Sequence, residues 1–471
     1  MTARPNILFL MTDQMQGRVL EPGHPCRTPN LDRLAQRGVR FRRAYTPNAV
    51  CSPARASLMT GLLPHNHGVT DVIHCVDPDQ SCLRTEKPHW AQRLRDAGYT
   101  TGYFGKWHIE RTERLDQFGW RTYRTQFPRT GADPGDHFIL RKTVESPPGY
   151  RKSVLYGVVD TPPEKRRMGH CVQAALEFLE EVAGRQEPWC CFVSITEPHD
   201  PFIAGRKAFE RYNVDEIELP PNVHDDLAGR PGVYRKAALV WADMDDRQKR
   251  EAAACYYALI TEIDEQFGRI LTFLEESGQA DNTIVVFTSD HGELLGAHGL
   301  YTKNYSGFEE VYNIPLIMAG PGIAQGAVSE ARVGLHDLCP TLLELTHCEP
   351  IETPDSRSFL PVLADPAAND EKFQVGYAEY FGTRYRLTQR VLWDGPWKYC
   401  HNGFDFDELY NLDDDPYEMN NLAADPACQE QVKKMLRTMW RIIKETGDHV
   451  LLNSHAMILR MAPFGPLILD E

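Results

Sequence analysis

Three short apolar runs restrict this chain more than any other feature. Ile7-Leu8-Phe9-Leu10-Met11, Trp189 to Thr196 and Thr283 to Thr288 are almost continuously apolar or β-branched. A strand with one wet face alternates, whereas a continuous run is buried on both faces, as in a parallel sheet covered by helices. Each run leads into polar residues: Thr12-Asp13-Gln14, Glu197-Pro198-His199 and Ser289-Asp290-His291. In open α/β sheets such strand ends face the crevice where ligands bind. Taken singly, an Asp at one of these ends is equally a turn residue or a helix cap.

Helical patterns fill the gaps between the runs. Thr28 to Gly38 reads as a capped helix, Pro88 to Ala97 and Gly169 to Val182 as further helices, and 247–277 as a long one. In the last, Ala252, Tyr256, Ile260, Ile263, Phe267 and Leu271 recur at three- and four-residue spacing. Phe41 to Tyr45, Tyr99 to Phe104 and Ile314 to Met318 read as additional strands. The fold class expected is α/β, a large mixed, mostly parallel sheet sandwiched by helices. Residues from about 110 to 165 are polar, rich in Gly, Pro and Arg, and poorly periodic, so they read as long loops over the crevice. Arg141, Lys142, Arg151 and Lys152 there would meet a charged substrate or simply face solvent. Residues 203–245 read as a further insertion. After about residue 365 the pattern changes to short antiparallel strands at 374–380, 384–393 and 397–400, then a helix over 427–446. We expect a catalytic domain over 1–365 and a smaller α+β subdomain over 366–471. The apolar tail from Val450 to Leu469 either packs onto the body or meets another subunit of a homo-oligomer.

With 471 residues, 42% of them hydrophobic and 25% charged, the composition is that of a globular protein. The net charge of −15 argues against nucleic acid as partner, and an anionic ligand would need a locally positive or metal-bearing site. No run of 18 apolar residues predicts a membrane span. Met1 to Asn6 leads straight into the first strand without room for a secretory signal, and the twelve cysteines lack zinc-like spacing. Both point to a cytoplasmic protein with reduced thiols.

Cys51-Ser52-Pro53-Ala54-Arg55 through Gly61 reads as a helix start, with Ser52 as N-cap, Pro53 in the first turn and Cys51 just before it. Arg55 then lies within reach of Cys51. A cysteine beside a cation at a helix N-terminus is a candidate reactive residue, although a half-buried cysteine before an ordinary helix reads the same way. Lys106 and His108, two apart at a strand end, face one crevice or belong to the surface. For His65 and His67, supporting roles are favoured over a metal site.

The whole string Cys-x-Pro-x-Arg followed by Leu-x-Thr-Gly resembles the signature of the type I, formylglycine-dependent sulfatases of the alkaline phosphatase superfamily. Gly105-Lys106-Trp107-His108, Ser289-Asp290-His291-Gly292, His336 to Leu343 and Glu408 to Leu412 resemble further family blocks, in family order from residue 5 to about 422. The resemblance implies an alkaline-phosphatase-like fold and conversion of Cys51 to formylglycine by a formylglycine-generating enzyme. It implies that Asp13, Gln14, Asp290 and His291, with residue 51, hold one divalent cation, calcium first, with magnesium or manganese as alternatives. It assigns Arg55 to the diol of formylglycine, Lys106 to the sulfuryl oxygens, Lys303 to the sulfuryl oxygens or the leaving oxygen, His199 to the leaving oxygen and His108 to the proton of the second diol oxygen. The expected reaction is hydrolysis of an aryl or carbohydrate sulfate monoester. Gln14 and His291 also occur in the phosphonate monoester hydrolase branch, so a phosphonate monoester or phosphodiester is the alternative substrate. With Cys51 unmodified the protein would be an inactive anion binder.

Overall fold

In the computed structural model of the protein, the described residues are 4–128, 137–145, 152–303, 307–383, 386–453 and 465–469. Their strands, in chain order, are β1 (Asn6–Asp13), β2 (Gly38–Tyr45), β3 (Thr100–Gly105), β4 (Thr122–Arg124), β5 (Phe138–Glu145), β6 (Lys152–Val159), β7 (Trp189–Pro198) and β8 (Phe202–Gly205). They continue with β9 (Thr283–Ser289), β10 (Leu316–Ala319), β11 (Ala327–Gly334), β12 (Val375–Tyr380), β13 (Gln389–Asp394), β14 (Trp397–Asn402) and β15 (Glu408–Asn411).

Eight of them form one sheet in the order β11-β2-β10-β9-β1-β7-β3-β4. All run parallel except β10, which is antiparallel to both neighbours. β1 sits near the middle, and all eight of its residues are buried. Ile7, Phe9 and Met11 pack on one face with Trp90 and Leu94, while Leu8 and Leu10 pack on the other with Ile263 and Phe267 of the Asp246–Glu276 helix. The fold class expected from the apolar runs is the one observed.

The register explains why the polar strand ends meet. Thr12 pairs with Ser289, Asp13 with Pro198, and Gly105 with Ser194. The carboxyl ends of four adjacent strands, β9, β1, β7 and β3, are thus level with one another.

Two sequence expectations change. The segment at 110–165 is not only loop: β5 and β6 lie within it and join β8 in a three-stranded sheet. Leu155, Tyr156, Val158 and Val159 on β6 are buried, a short apolar strand masked by its polar flanks. Arg141 lies over the Phe138 ring and Lys142 donates to Gln248 Oε1 at 2.8 Å, so both have partners within the fold. Arg151 and most of the tail lie outside the described residues. The helix after β2 starts at Cys51 itself, with Val50 as N-cap, so Ser52 caps nothing. It ends at Gly61, whose φ of 72° is the left-handed cap glycine tolerates best.

The C-terminal sheet runs β12-β13-β14-β15, entirely antiparallel. Leu392, Tyr399 and Leu409 face the Gln429–Thr446 helix, whereas Val391, Trp393 and Cys400 face Tyr45, Phe308 and Tyr312 of the body. His65 fastens the two parts together. Its Nδ1 lies 2.6 Å from Glu379 Oε1 on β12, and its Nε2 lies 3.1 Å from the Thr446 carbonyl oxygen. Burial disfavours its charge, but the Glu379 carboxylate outweighs this and pushes its pKa up to about 9. Because the folded value exceeds the unfolded one, this stabilisation is complete below about pH 6.5 and is lost as pH rises through about 9. Denaturation at a series of pH values should show stability falling by up to about 3 kcal/mol over that window, and the His65→Gln protein should lack this component.

Candidate active site

Cys51, the nucleophile expected from the sequence, stands at the first turn of a wholly buried helix. Cys51 is 2% exposed, with its Sγ 3.2 Å from His291 Nε2 and 3.7 Å from Asp13 Oδ1. Asp13, Cys51, Asp290 and His291 bring their ligand atoms within 4.8 Å of one another. His291 Nδ1 lies 2.9 Å from the Gly292 carbonyl oxygen, which places the ring proton there and leaves the Nε2 lone pair facing the cluster. Asp290 Oδ1 accepts from the amides of Gln14 and His291, at 3.1 and 3.0 Å. Two carboxylates, an imidazole nitrogen and the group at position 51 form a donor set that fits one divalent cation.

Arg55 sits one helical turn beyond Cys51 and is 1% exposed. Its Nε donates to Asp290 Oδ2 at 2.7 Å, and its Nη2 to Asp13 Oδ2 at 3.3 Å. Nη1 donates to the Lys106 carbonyl at 2.9 Å and to Ser194 Oγ at 2.8 Å. Lys106 Nζ also bonds Asp13 Oδ2. Burial favours protonated Asp13, but Lys106, His199 and Arg55 outweigh it and hold the carboxyl below its ordinary value.

The remaining cations come from two other segments. Lys303 is 8% exposed; its Nζ donates to Gln14 Oε1 at 2.8 Å and lies 2.5 Å from His199 Nε2. Burial opposes its charge, and the negative groups at Cys51, Asp13, Asp200 and Asp290 more than compensate. Burial and Lys303 push His199 down, Asp200 and Asp13 push it up, and the balance is a pKa raised to about 9. His108 is held down, to about 4, by burial and by Lys106, which outweigh the upward pull of Cys51. One imidazole therefore tends to carry a proton and the other to accept one. Burial works against a Cys51 thiolate, yet Lys106, Lys303 and His291 take its pKa well below the ordinary thiol value. A position that stabilises a negative sulfur this strongly also stabilises a negative oxygen there.

All ten residues singled out in the sequence thus fall in one region. Gln14 is arranged differently from the four clustered residues. Its amide oxygen faces Lys303, and its Nε2 donates to Asp200 Oδ1 at 2.9 Å and to Glu293. Ser194, Asp200 and Glu293 are the residues that sequence reading passed over. Ser194 lies inside the Trp189 to Thr196 run, and Asp200 and Glu293 directly follow the quoted strand-end blocks, but nothing in spacing distinguishes them from structural polar residues. His65 and His67 serve the fold: His65 bonds Glu379, and His67 Nε2 lies 2.9 Å from Ser57 Oγ.

A buried cysteine, a compact cluster of potential ligands and convergent cations at the carboxyl ends of a parallel sheet make a crevice suited to an anionic ligand. The sulfatase family profile matches residues 5–348, and the profile of the C-terminal part of N-sulphoglucosamine sulphohydrolase matches residues 296–445. The chain belongs to the sulfatase family, whose members are sulfuric ester hydrolases. It is 30% identical over 455 residues to choline-sulfatase of Rhizobium meliloti, covering 90% of this chain and 83% of that one. It is 25% identical over 521 residues to N-acetylglucosamine-6-O-sulfatase of Bacteroides thetaiotaomicron, covering 95% and 88%. Among solved structures, the phosphonate monoester hydrolase of Silicibacter pomeroyi matches with a TM-score of 0.79 at 25% identity, covering 95% of this chain and 97% of that one.

Arg55 is the cation on which the cluster depends. Replacing it by Met leaves Asp13 and Asp290 without their guanidinium, and chemical denaturation of the metal-stripped protein should show a loss of about 3–5 kcal/mol. Arg55→Lys should recover only part of this, because one ammonium cannot reach four separated acceptors.

Proposed function

We propose that the protein hydrolyses a sulfate monoester of a saccharide or small alcohol, with Cys51 matured to formylglycine and one divalent cation, calcium first, in the cluster. The observation that carries this reading is the convergence of Lys106, His108, His199 and Lys303 on position 51. Asp13, Asp290 and His291 would hold the cation together with residue 51, whereas Gln14, expected from the sequence as a further ligand, turns its amide oxygen to Lys303 instead. Mostly oxygen donors favour calcium or magnesium, and His291 admits manganese. The hydrated aldehyde and the cation would supply, respectively, a nucleophilic oxygen and Lewis-acid stabilisation of negative charge.

The side chains carry the rest of the reaction. Arg55 orients the group at position 51 from one turn along the same helix. Lys106 brings positive charge to the sulfuryl oxygens, and Lys303, beside His199, to the sulfuryl and leaving oxygens, where negative charge must be stabilised as the ester bond breaks. His199, whose pKa is raised by Asp200 and Asp13, is the proton donor to the departing alcohol oxygen, and the Lys303 ammonium beside it favours release of that proton. His108, held neutral and in contact with position 51, accepts the proton that regenerates the carbonyl. Choline-sulfatase and N-acetylglucosamine-6-O-sulfatase among the relatives support an alcohol or sugar as the leaving group.

A second reading has its own support. Gln14 in place of a second aspartate, with the likeness to the phosphonate monoester hydrolase of Silicibacter pomeroyi, favours a phosphonate monoester at the same centre. A matched panel, one aryl leaving group on sulfate, phosphonate monoester and phosphodiester, separates the two. The highest kcat/KM is expected on the sulfate, and a preference for phosphorus would replace this function by the second. In parallel, mass analysis of the peptide containing residue 51 should show sulfur replaced by oxygen with loss of two hydrogens. Cys51→Ala should fold normally and turn over nothing; full activity in that variant would end the proposed mechanism.

A further inference from the structure

Glu293 has no role in the reaction laid out above, yet it is fully buried beside it. Its two carboxylate oxygens face different parts of the fold. Oε1 accepts from the backbone amides of Leu295 at 3.0 Å and Thr302 at 2.5 Å. Oε2 accepts from Gln14 Nε2. Thr302 immediately precedes Lys303, and Gln14 Oε1 accepts from the Lys303 ammonium at 2.8 Å. The contacts close a ring: the Thr302 amide, the Glu293 carboxylate, the Gln14 amide, the Lys303 ammonium and one residue of chain.

Two details make the ring directional. Gln14 Nε2 also donates to Asp200 Oδ1 at 2.9 Å, so two carboxylates take the amide nitrogen and the amide oxygen is left for Lys303. Thr302 has a φ of 66°, a left-handed conformation that β-branched residues rarely adopt without outside support. The Glu293 bond to its amide supplies that support at the residue before the lysine. All three groups facing Glu293 are N–H donors, and only a carboxylate offers acceptors to all of them. An amide at this position must turn its own NH2 toward one of them.

We infer that Glu293 is the positioning residue for Lys303, fixing at once the backbone that precedes the lysine and the Gln14 amide that receives its ammonium. The inference rests on the role proposed above for Lys303. The test is a double-mutant cycle of Glu293→Gln and Lys303→Ala, read as kcat/KM on an aryl and an alkyl ester, with metal content and thermal midpoint measured on each protein. Glu293→Gln is expected to lower kcat/KM by about ten- to a hundredfold, more on the alkyl ester, which needs its leaving oxygen neutralised most. In the Lys303→Ala background the same substitution should change kcat/KM by less than about twofold. Equal losses in both backgrounds would overturn the inference, since a general structural role does not need the lysine. If Glu293→Gln fails to fold, Glu293→Asp, which keeps the charge but shortens the reach, passes through the same cycle. The cycle is run on whichever of the sulfate and phosphonate esters the wild-type protein prefers. A phosphorus preference would then remove the sulfatase reading while leaving the coupling measurable, and additivity would remove only the role of Glu293.

Discussion

One guanidinium holds the centre of this protein together. Arg55 reaches Asp290 beyond β9, Asp13 at the end of β1, Ser194 on β7 and the Lys106 carbonyl beyond β3. These are the four adjacent strands whose ends build the site. A planar fork with five N–H donors suits such a task, since it bonds separated acceptors without rearrangement and does not lose its charge on burial. The arrangement also explains how two carboxylates are kept out of water as anions. Their desolvation is opposed by a cation on the same helix as the nucleophile position, so the fold of that helix and the ionisation of the cluster are one problem.

The same accounting resolves how an acidic protein presents a site to an anionic ester. The chain carries −15 overall, yet Lys106 and Lys303 hold the Cys51 pKa down, Arg55 lies one turn along the same helix, and His199 tends toward its charged form. Buried charges act at short range in a low dielectric, whereas the surface field is screened by salt over roughly 8–10 Å. Local placement therefore outweighs the net balance. Position 14 fits this logic: a neutral amide there lies between Asp200 and Glu293, where a further carboxylate would meet two like charges.

Much of this was legible in the chain. The unbroken apolar runs identified buried parallel strands because burial on both faces removes the polar alternation, and the residues after them fell at the sheet's carboxyl edge as topology requires. The motif around Cys51 singled out a residue that the fold places in one cluster with Asp13, Asp290 and His291. What escaped had weaker local signals. β5 and β6 were hidden because their apolar residues are few and their flanks resemble loop. The Val50 cap was missed because Ser52 is the better intrinsic capper, while the chain needs position 51 inside the first turn. Glu293 and Ser194 were unreadable for another reason: their partners lie 279 and 139 residues away in sequence, and only the folded register brings them together.

The C-terminal sheet belongs to the same chain of dependence. The segment that feeds Cys51 is bonded to β12: the Glu379 amide donates to the Pro47 carbonyl at 2.8 Å, and Asn48 Nδ2 donates to the Glu379 carbonyl at 2.7 Å. The Glu379 side chain then takes His65, just past the end of the nucleophile helix. Residue 379 thus grips the chain on both sides of that helix. Behind it, Arg390 on β13 pairs with Asp448 through two bonds of 2.9 and 2.7 Å, both side chains wholly buried. A buried pair of this kind contributes little net stability, but breaking either half is costly, which makes its geometry hard to vary. The Cys51–Thr60 helix is therefore set from two directions, by Arg55 and the strand ends on one side and by the C-terminal sheet on the other.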